Sequence, residues 1–186
     1  MPEGDLRLAY VGTDSYEDGK VYRSGALIVT LSGEPREFRC TSPVRPNQLQ
    51  RITYGRSLEP HVYVEVMGKP LMRALQESVA LYLVDDPVLL ALREIAEQPV
   101  VYARRQGTAT ERAGNGTSQA SSILIPSPSG DFDPVVVQAL ESDPDDVRVA
   151  STVLAEAAKQ LDILEPFDRL KLALQKVHES HELDDK

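Results

Sequence analysis

Residues 6–41 constrain the fold more than any other stretch, because three strand-length apolar runs stand so close together that only tight turns can join them. The first runs from Leu6 to Thr13 and enters the polar turn Asp14-Ser15-Tyr16-Glu17-Asp18-Gly19. The second runs from Val21 to Leu31 with Gly25 inside it, and Ser32-Gly33-Glu34-Pro35 connects it to a third from Arg36 to Thr41. Parallel strands need a crossover of roughly a dozen residues or more, so connections this short predict an antiparallel meander.

The periodicity then changes. Asn47 reads as the N-cap of a helix through Leu49, Ile52 and Tyr54 that stops at Gly55. His61 to Met67 alternates, which predicts a strand with Val62, Val64 and Val66 on one face. Pro70 opens a helix carrying Leu71, Leu75 and Val79, and Leu81 to Val84 reads as a short apolar strand. Asp86-Pro87 is the cap and first position of a helix through Ile95, and Pro99 to Ala103 is a last strand. The predicted order is β-β-β-α-β-α-β-α-β. Single helices between strands favour right-handed parallel crossovers, so the fold class is α/β: a mixed sheet with helices on its faces and a C-terminal α-helical segment.

Charge and composition divide the chain further. Residues 1–105 carry 13 Lys and Arg against 14 Asp and Glu, whereas residues 106–186 carry 7 against 15. The expected domains are a mixed α/β domain over 1–105, a Gly/Ser/Thr-rich linker with a short apolar run at 121–126 over 106–142, and an acidic amphipathic helical segment over 143–186. In that segment Asp143 and Pro144 read as helix cap and first position, and apolar Val147, Ala150, Leu154, Ala157, Leu161 and Leu164 follow three or four apart. Pro166 breaks or restarts the helix, and Phe167, Leu170, Leu174 and Val177 resume the stripe. Such a stripe has to be buried, either on the α/β domain or in a partner.

Several function classes lose their signatures. The sequence holds no P-loop, no dinucleotide-binding glycine fingerprint, no zinc-protease helix motif and no hydrolase nucleophile elbow. Cys40 is the only cysteine, which leaves neither an intrachain disulfide nor a Cys-x-x-Cys metal site. No run of about 18 apolar residues exists and the acidic start, Met1 to Asp5, has no apolar core, so the expectation is a cytoplasmic protein with no membrane partner.

Three groups of polar residues carry candidate chemistry. Arg45, Asn47 and Arg51 surround a helix start, which is a ready anion site; the structural alternative is that Arg36 and Arg39 pair with Glu34 and Glu37 and the rest is surface charge. His178 and His181 share a helix face but have no rigid third ligand beside them, so no metal site is assigned. The third group begins at Asp14, in Val11-Gly12-Thr13-Asp14-Ser15-Tyr16.

An aspartate ending a first strand, then a hairpin meander, then alternating helices and strands, resembles the ribonuclease H-like fold. The stretch Leu8 to Val29 also resembles the opening of endonuclease V-type nucleases, in which a glycine precedes a first-strand aspartate, as Gly12 precedes Asp14. The resemblance implies Mg²⁺-dependent phosphodiester cleavage, with carboxylates from separated strands clamping two ions. Asp14 matches the first-strand acid, Glu65 in the predicted fourth strand is the candidate for the next, and Asp85 at a strand end is the candidate for a third. The first helix, from Asn47 to Gly55, contributes no acid, Asp86 is already used as a cap, and no lysine is expected at the carboxylates.

With the catalytic signatures missing, these features predict a non-catalytic accessory or scaffold protein without a cofactor. It would bind a protein partner or a second copy of itself through Leu154, Leu161, Leu164, Phe167, Leu170 and Leu174. An acidic surface repels phosphate backbones, so nucleic acid is not the favoured partner. The alternative implied by the resemblance is a Mg²⁺-dependent ribonuclease H-like nuclease using Asp14 and Glu65, and a further alternative is an anion-sensing domain at Arg45, Asn47 and Arg51.

Overall fold

A computed structural model describes residues 6–107, 122–128, 130 and 132–184. The meander forms as expected: β1 (Arg7–Tyr16), β2 (Val21–Thr30) and β3 (Pro35–Cys40) pair antiparallel, with Asp14 opposite Arg23 across β1 and β2. The β1–β2 turn places Glu17, Asp18 and Gly19 at positive φ. That conformation suits the glycine and is tolerated by the aspartate.

From Gln48 to Ala74 the chain is helical almost without a break. It passes through α1 (Gln48–Tyr54), a 3-10 turn (Gly55–Ser57), α2 (Leu58–His61), a π-helical stretch (Val62–Gly68) and α3 (Lys69–Ala74). The strand expected over 61–67 is therefore corrected. Val62, Tyr63, Val64 and Met67 are buried while Glu65 and Val66 are exposed, which is a helical face and not an alternation. A short apolar run does not by itself separate a period of two from a helical one. The wide turn also brings the Tyr63 carbonyl to within 2.7 Å of where a Cβ on Gly68 would stand.

Next come β4 (Leu81–Val84), a 3-10 helix (Pro87–Glu94) capped by Asp86, and β5 (Val100–Arg105). β1, β4 and β5 form a parallel trio at the centre of a seven-stranded sheet ordered β3-β2-β1-β4-β5-β7-β6. β6 (Ser122–Ile125) forms from the short apolar run and lies at the edge of the sheet, while β7 (Val135–Gln138), antiparallel to β5 and β6, has no counterpart in the sequence reading. Both strands come from the predicted linker, of which residues 108–121 lie outside the described residues. The class is a mixed α/β fold with a central mixed sheet and C-terminal α-helices.

The two faces of the sheet are covered by different parts of the chain. The helical run over 48–74 and the 3-10 helix bury Val62, Met67, Leu71, Leu89 and Leu92 against Val11, Ala26 and Val84. On the other face, α4 (Asp145–Ala157) and α5 (Glu165–Asp184) bury Leu154, Phe167, Leu170 and Leu174 against Tyr10, Leu83, Val101 and Val137. Pro166 sits in the first turn of α5, where its missing N–H is harmless. Asp146 is more than a first-turn charge, because its buried Oδ2 accepts from Arg93 Nε at 2.6 Å and from the Val100 N–H at 3.2 Å, tying α4 to β5. The apolar stripe is thus consumed inside the molecule. Leu154, Leu161, Phe167, Leu170 and Leu174 are buried and Leu164 packs at the edge of their core, each large side chain contributing about 2 kcal/mol. Among the described residues no helix is long and apolar enough to cross a membrane.

Candidate active site

Strand alternation aims one row of β1 at α5. Tyr10 meets Phe167 edge to face at 5.0 Å, Gly12 lies beneath Leu170, and Tyr16 stacks on His178 at 4.0 Å. Asp14 falls between Gly12 and Tyr16 in the same period of two and faces the same side. On β4, Leu81 and Leu83 share the core of Phe167 and Leu170, so the next residue of that row is Asp85, one position past the strand. The Asp85 N–H donates to the Val11 carbonyl at 3.3 Å, and its Oδ1 accepts from the Thr13 N–H at 3.3 Å.

Because β1 and β4 are parallel neighbours, the two aspartates emerge at the same carboxyl edge, where open α/β sheets place their ligands. They line one polar cleft of about 240 Å³ together with Thr13, Tyr63, Asp86 and Lys171. A Cβ on Gly12 would stand 2.8 Å from Asp85 Oδ2 and 3.2 Å from Leu170 Cδ2, so the glycine is what lets carboxyl and helix close over β1. Burial pushes the Asp85 carboxyl up to about 7, against the pull of the Lys171 ammonium and the Thr13 N–H. Asp86 is committed to capping, with Oδ1 accepting from the Val88 N–H at 2.9 Å.

Behind Asp14 stands a buried cation. The cross-strand Arg23 is 1% exposed and donates from Nε to His178 Nδ1 at 3.3 Å and from Nη1 to the Thr41 carbonyl at 3.2 Å. Its Nη2 meets no acceptor among the described residues. Burial, and after it the Asp14 carboxylate, push the Tyr16 phenol up to about 12; its hydroxyl reaches toward Asp14 without closing a hydrogen bond.

The structure brings Asp14 and Asp85 together and leaves Glu65 out. Glu65 lies on the outer side of the π-helical stretch, half exposed, 2.9 Å from Lys69, which also holds Glu94 at 2.8 Å. Tyr63, two residues earlier, is what that stretch turns into the cleft. The proposed anion site is likewise engaged elsewhere. Arg45 pairs with Glu17 at 2.6 Å, and Asn47 Oδ1 accepts from the Gln50 N–H at 2.9 Å in a capping box. Arg51 donates to the carbonyls of Pro46, Gly19 and Lys20, pinning the seven-residue α1 to the β1–β2 turn.

Sequence reasoning missed Lys171 and read His178 as half of an exposed pair, although His178 is buried; the His181 side chain lies outside the described residues. The signal for both was the spacing Phe167, Leu170, Leu174, His178, which continues the apolar seam and puts Lys171 at its border. Its meaning depended on knowing that α5 crosses β1.

The fold carries an expectation of two Mg²⁺ ions, and the donor set decides how many fit. Among the described residues no group of three or more His, Cys, Asp and Glu side chains is placed to hold a metal ion. Among the described residues, then, no such group stands ready for a pair of ions. One Mg²⁺ needs only one or two carboxylates, with waters and phosphate oxygens completing its octahedron, so the two that line the cleft, Asp14 and Asp85, match a single ion in kind and number.

No protein-family model matches the sequence, and no curated protein is similar to it in sequence. Solved structures are similar. The endonuclease V of Streptomyces avermitilis superposes with a TM-score of 0.62 at 13% identity, covering 97% of this chain and 85% of that one. The Bacillus subtilis endonuclease V gives 0.58 at 11%, covering 96% and 83%. A variant of the Ciona intestinalis endonuclease V, in complex with a 23mer DNA containing an inosine followed by a ribo-adenosine, gives 0.54 at 11%, covering 92% and 86%. The fold is thus ribonuclease H-like, of the endonuclease V kind. These likenesses overturn the expectation of a non-catalytic accessory protein, since its solved neighbours are endonucleases. They also overturn the preference for a protein partner or second copy, since one neighbour holds DNA and the stripe that was to bind a partner is buried.

Proposed function

We propose that this protein is a nucleic-acid phosphodiesterase of the endonuclease V type, with Asp14 and Asp85 at its centre. One observation carries the reading: two aspartates from neighbouring parallel strands converge on one cleft at the carboxyl edge of the sheet, and one of them is held there against the cost of burying its charge. Groups kept in such unfavourable surroundings concentrate at functional sites.

Asp14 and Asp85 would hold the single divalent cation that the donor set fits. A bound divalent cation withdraws charge from a phosphodiester and eases attack at phosphorus. The remaining work belongs to the chain itself. The Thr13 N–H and the close fit over Gly12 fix the Asp85 carboxyl before any ligand arrives. The buried Arg23 guanidinium stands opposite Asp14 on the next strand and places a fixed positive charge beside it. Lys171 offers an ammonium to phosphate oxygens in the cleft, and the buried Tyr63 limits its width.

The test is a panel of end-labelled DNA and RNA strands, single and double, with and without inosine, incubated with the purified full chain and Mg²⁺ or Mn²⁺. Cleavage of at least one substrate is expected, and Asp85→Asn should slow it by about 100-fold or more, the usual loss when a charge-stabilising group is removed. A panel left intact under all these conditions would overturn the reading.

A further inference from the structure

We propose, on the strength of the nuclease reading, that the Lys171 ammonium occupies the position of a second cation, so that the cleft takes one divalent ion and the chain supplies the other positive charge itself. Three observations support this. Asp14 and Asp85 are the only carboxylates lining the cleft that are not committed to a helix cap, and Lys171 is the only Lys or Arg lining it, both among the described residues. The backbone that carries Lys171 is also held in place. Leu170 and Leu174 sit where Cβ atoms on Gly12 and Gly25 would come within 2.9–3.2 Å of them, so these two glycines let α5 press onto β1 and β2 immediately beside Lys171. Finally, Tyr63 and not Glu65 faces the cleft, so the π-helical stretch adds no carboxylate that could hold another ion.

The chemistry follows from charge. A second dication beside Asp85 would have to share its surroundings with an ammonium, and like charges held close together repel. An ammonium brings three donors and one positive charge to a phosphate oxygen without needing any ligands of its own. Its ligand is therefore a non-bridging oxygen of the phosphodiester.

Mn²⁺ binding to the full-length protein, followed by calorimetry and by loss of the free-ion paramagnetic resonance signal, tests this without reference to turnover. Lys171 is exposed, so its substitution leaves the core intact, which circular dichroism checks. The wild type is expected to bind one Mn²⁺ per chain and Lys171→Glu, which adds a third carboxylate, to bind two. Lys171→Arg should keep a stoichiometry of one. Two ions on the wild type, none on the wild type, or a single ion on Lys171→Glu would each overturn the proposal. Failure of the nuclease reading is a different result, namely no cleavage of any substrate.

Discussion

Replacing Asp85 by asparagine should stabilise the protein, and by an amount that depends on pH. The carboxyl is enclosed by Gly12, the Thr13 N–H and Leu170, and its pKa stands at about 7 against an ordinary 3.8. Below pH 3.8 the group is neutral in both folded and unfolded chains and contributes no difference. Between 3.8 and about 7 the unfolded chain ionises while the folded one keeps its proton, so folding becomes less favourable as pH rises. Above 7 the penalty is complete. Each pH unit between the two values is worth about 1.4 kcal/mol, giving roughly 4 kcal/mol at most. Asp85 as a residue is only half-buried although its carboxyl is enclosed, so about 2–4 kcal/mol is the usable range. Asparagine keeps an oxygen for the Thr13 N–H and removes the charge. Urea denaturation of both proteins at pH 4.5 and pH 8 measures the gap directly, because the midpoint multiplied by the slope gives the stability. The gap should be small at the acidic pH and favour Asp85→Asn at the alkaline one. A variant that is less stable at pH 8, or an effect equal at both pH values, would refute the burial argument.

Gly12→Ala should abolish cleavage, since its Cβ would stand 2.8 Å from Asp85 Oδ2, and overpacking there should cost about 1–3 kcal/mol in thermal denaturation. His178→Ala removes the acceptor of a buried arginine and the ring stacked on Tyr16, so it should cost about 1–3 kcal/mol; His178→Gln, which restores an acceptor, should cost less in the same melts. Glu65→Gln should leave the cleavage rate within about twofold, as expected for a surface group outside the site; a large loss would return Glu65 to the centre. Leu170→Ala should destabilise by about 2–5 kcal/mol in urea titrations, because Leu170 is fully enclosed between α5 and the sheet.

The meander, the parallel strands β4 and β5 and the paired helices at the C-terminus were legible because each follows from local rules: turn residues fix hairpins, and a three-to-four spacing fixes helices. The stretch from His61 to Met67 was not, because Val62, Val64 and Val66 satisfy an alternating pattern even though the neighbouring helices α2 and α3 carry one helical run through them. That single misreading put Glu65 into the site and kept Tyr63 out. Asp14 and Asp85 were legible as strand-end acids, and the parallel pairing of β1 with β4 gives them their common cleft. Lys171, about 86 residues beyond Asp85 in the chain, was not legible, because a helix packed across a sheet joins distant residues through its crossing position, which local sequence patterns do not encode. The acidic balance of residues 106–186 also misled, since net charge says little about a small cleft that Lys171 lines.

The central claim is that Asp14 and Asp85 form a nuclease centre, and single-turnover cleavage with protein in excess over a labelled inosine-containing strand tests it most directly. The account predicts cleavage that requires a divalent cation and is lost together in Asp14→Asn and Asp85→Asn, both still folded. Cleavage that persists in folded Asp14→Asn, or no cleavage by the wild type at any divalent concentration, would contradict it.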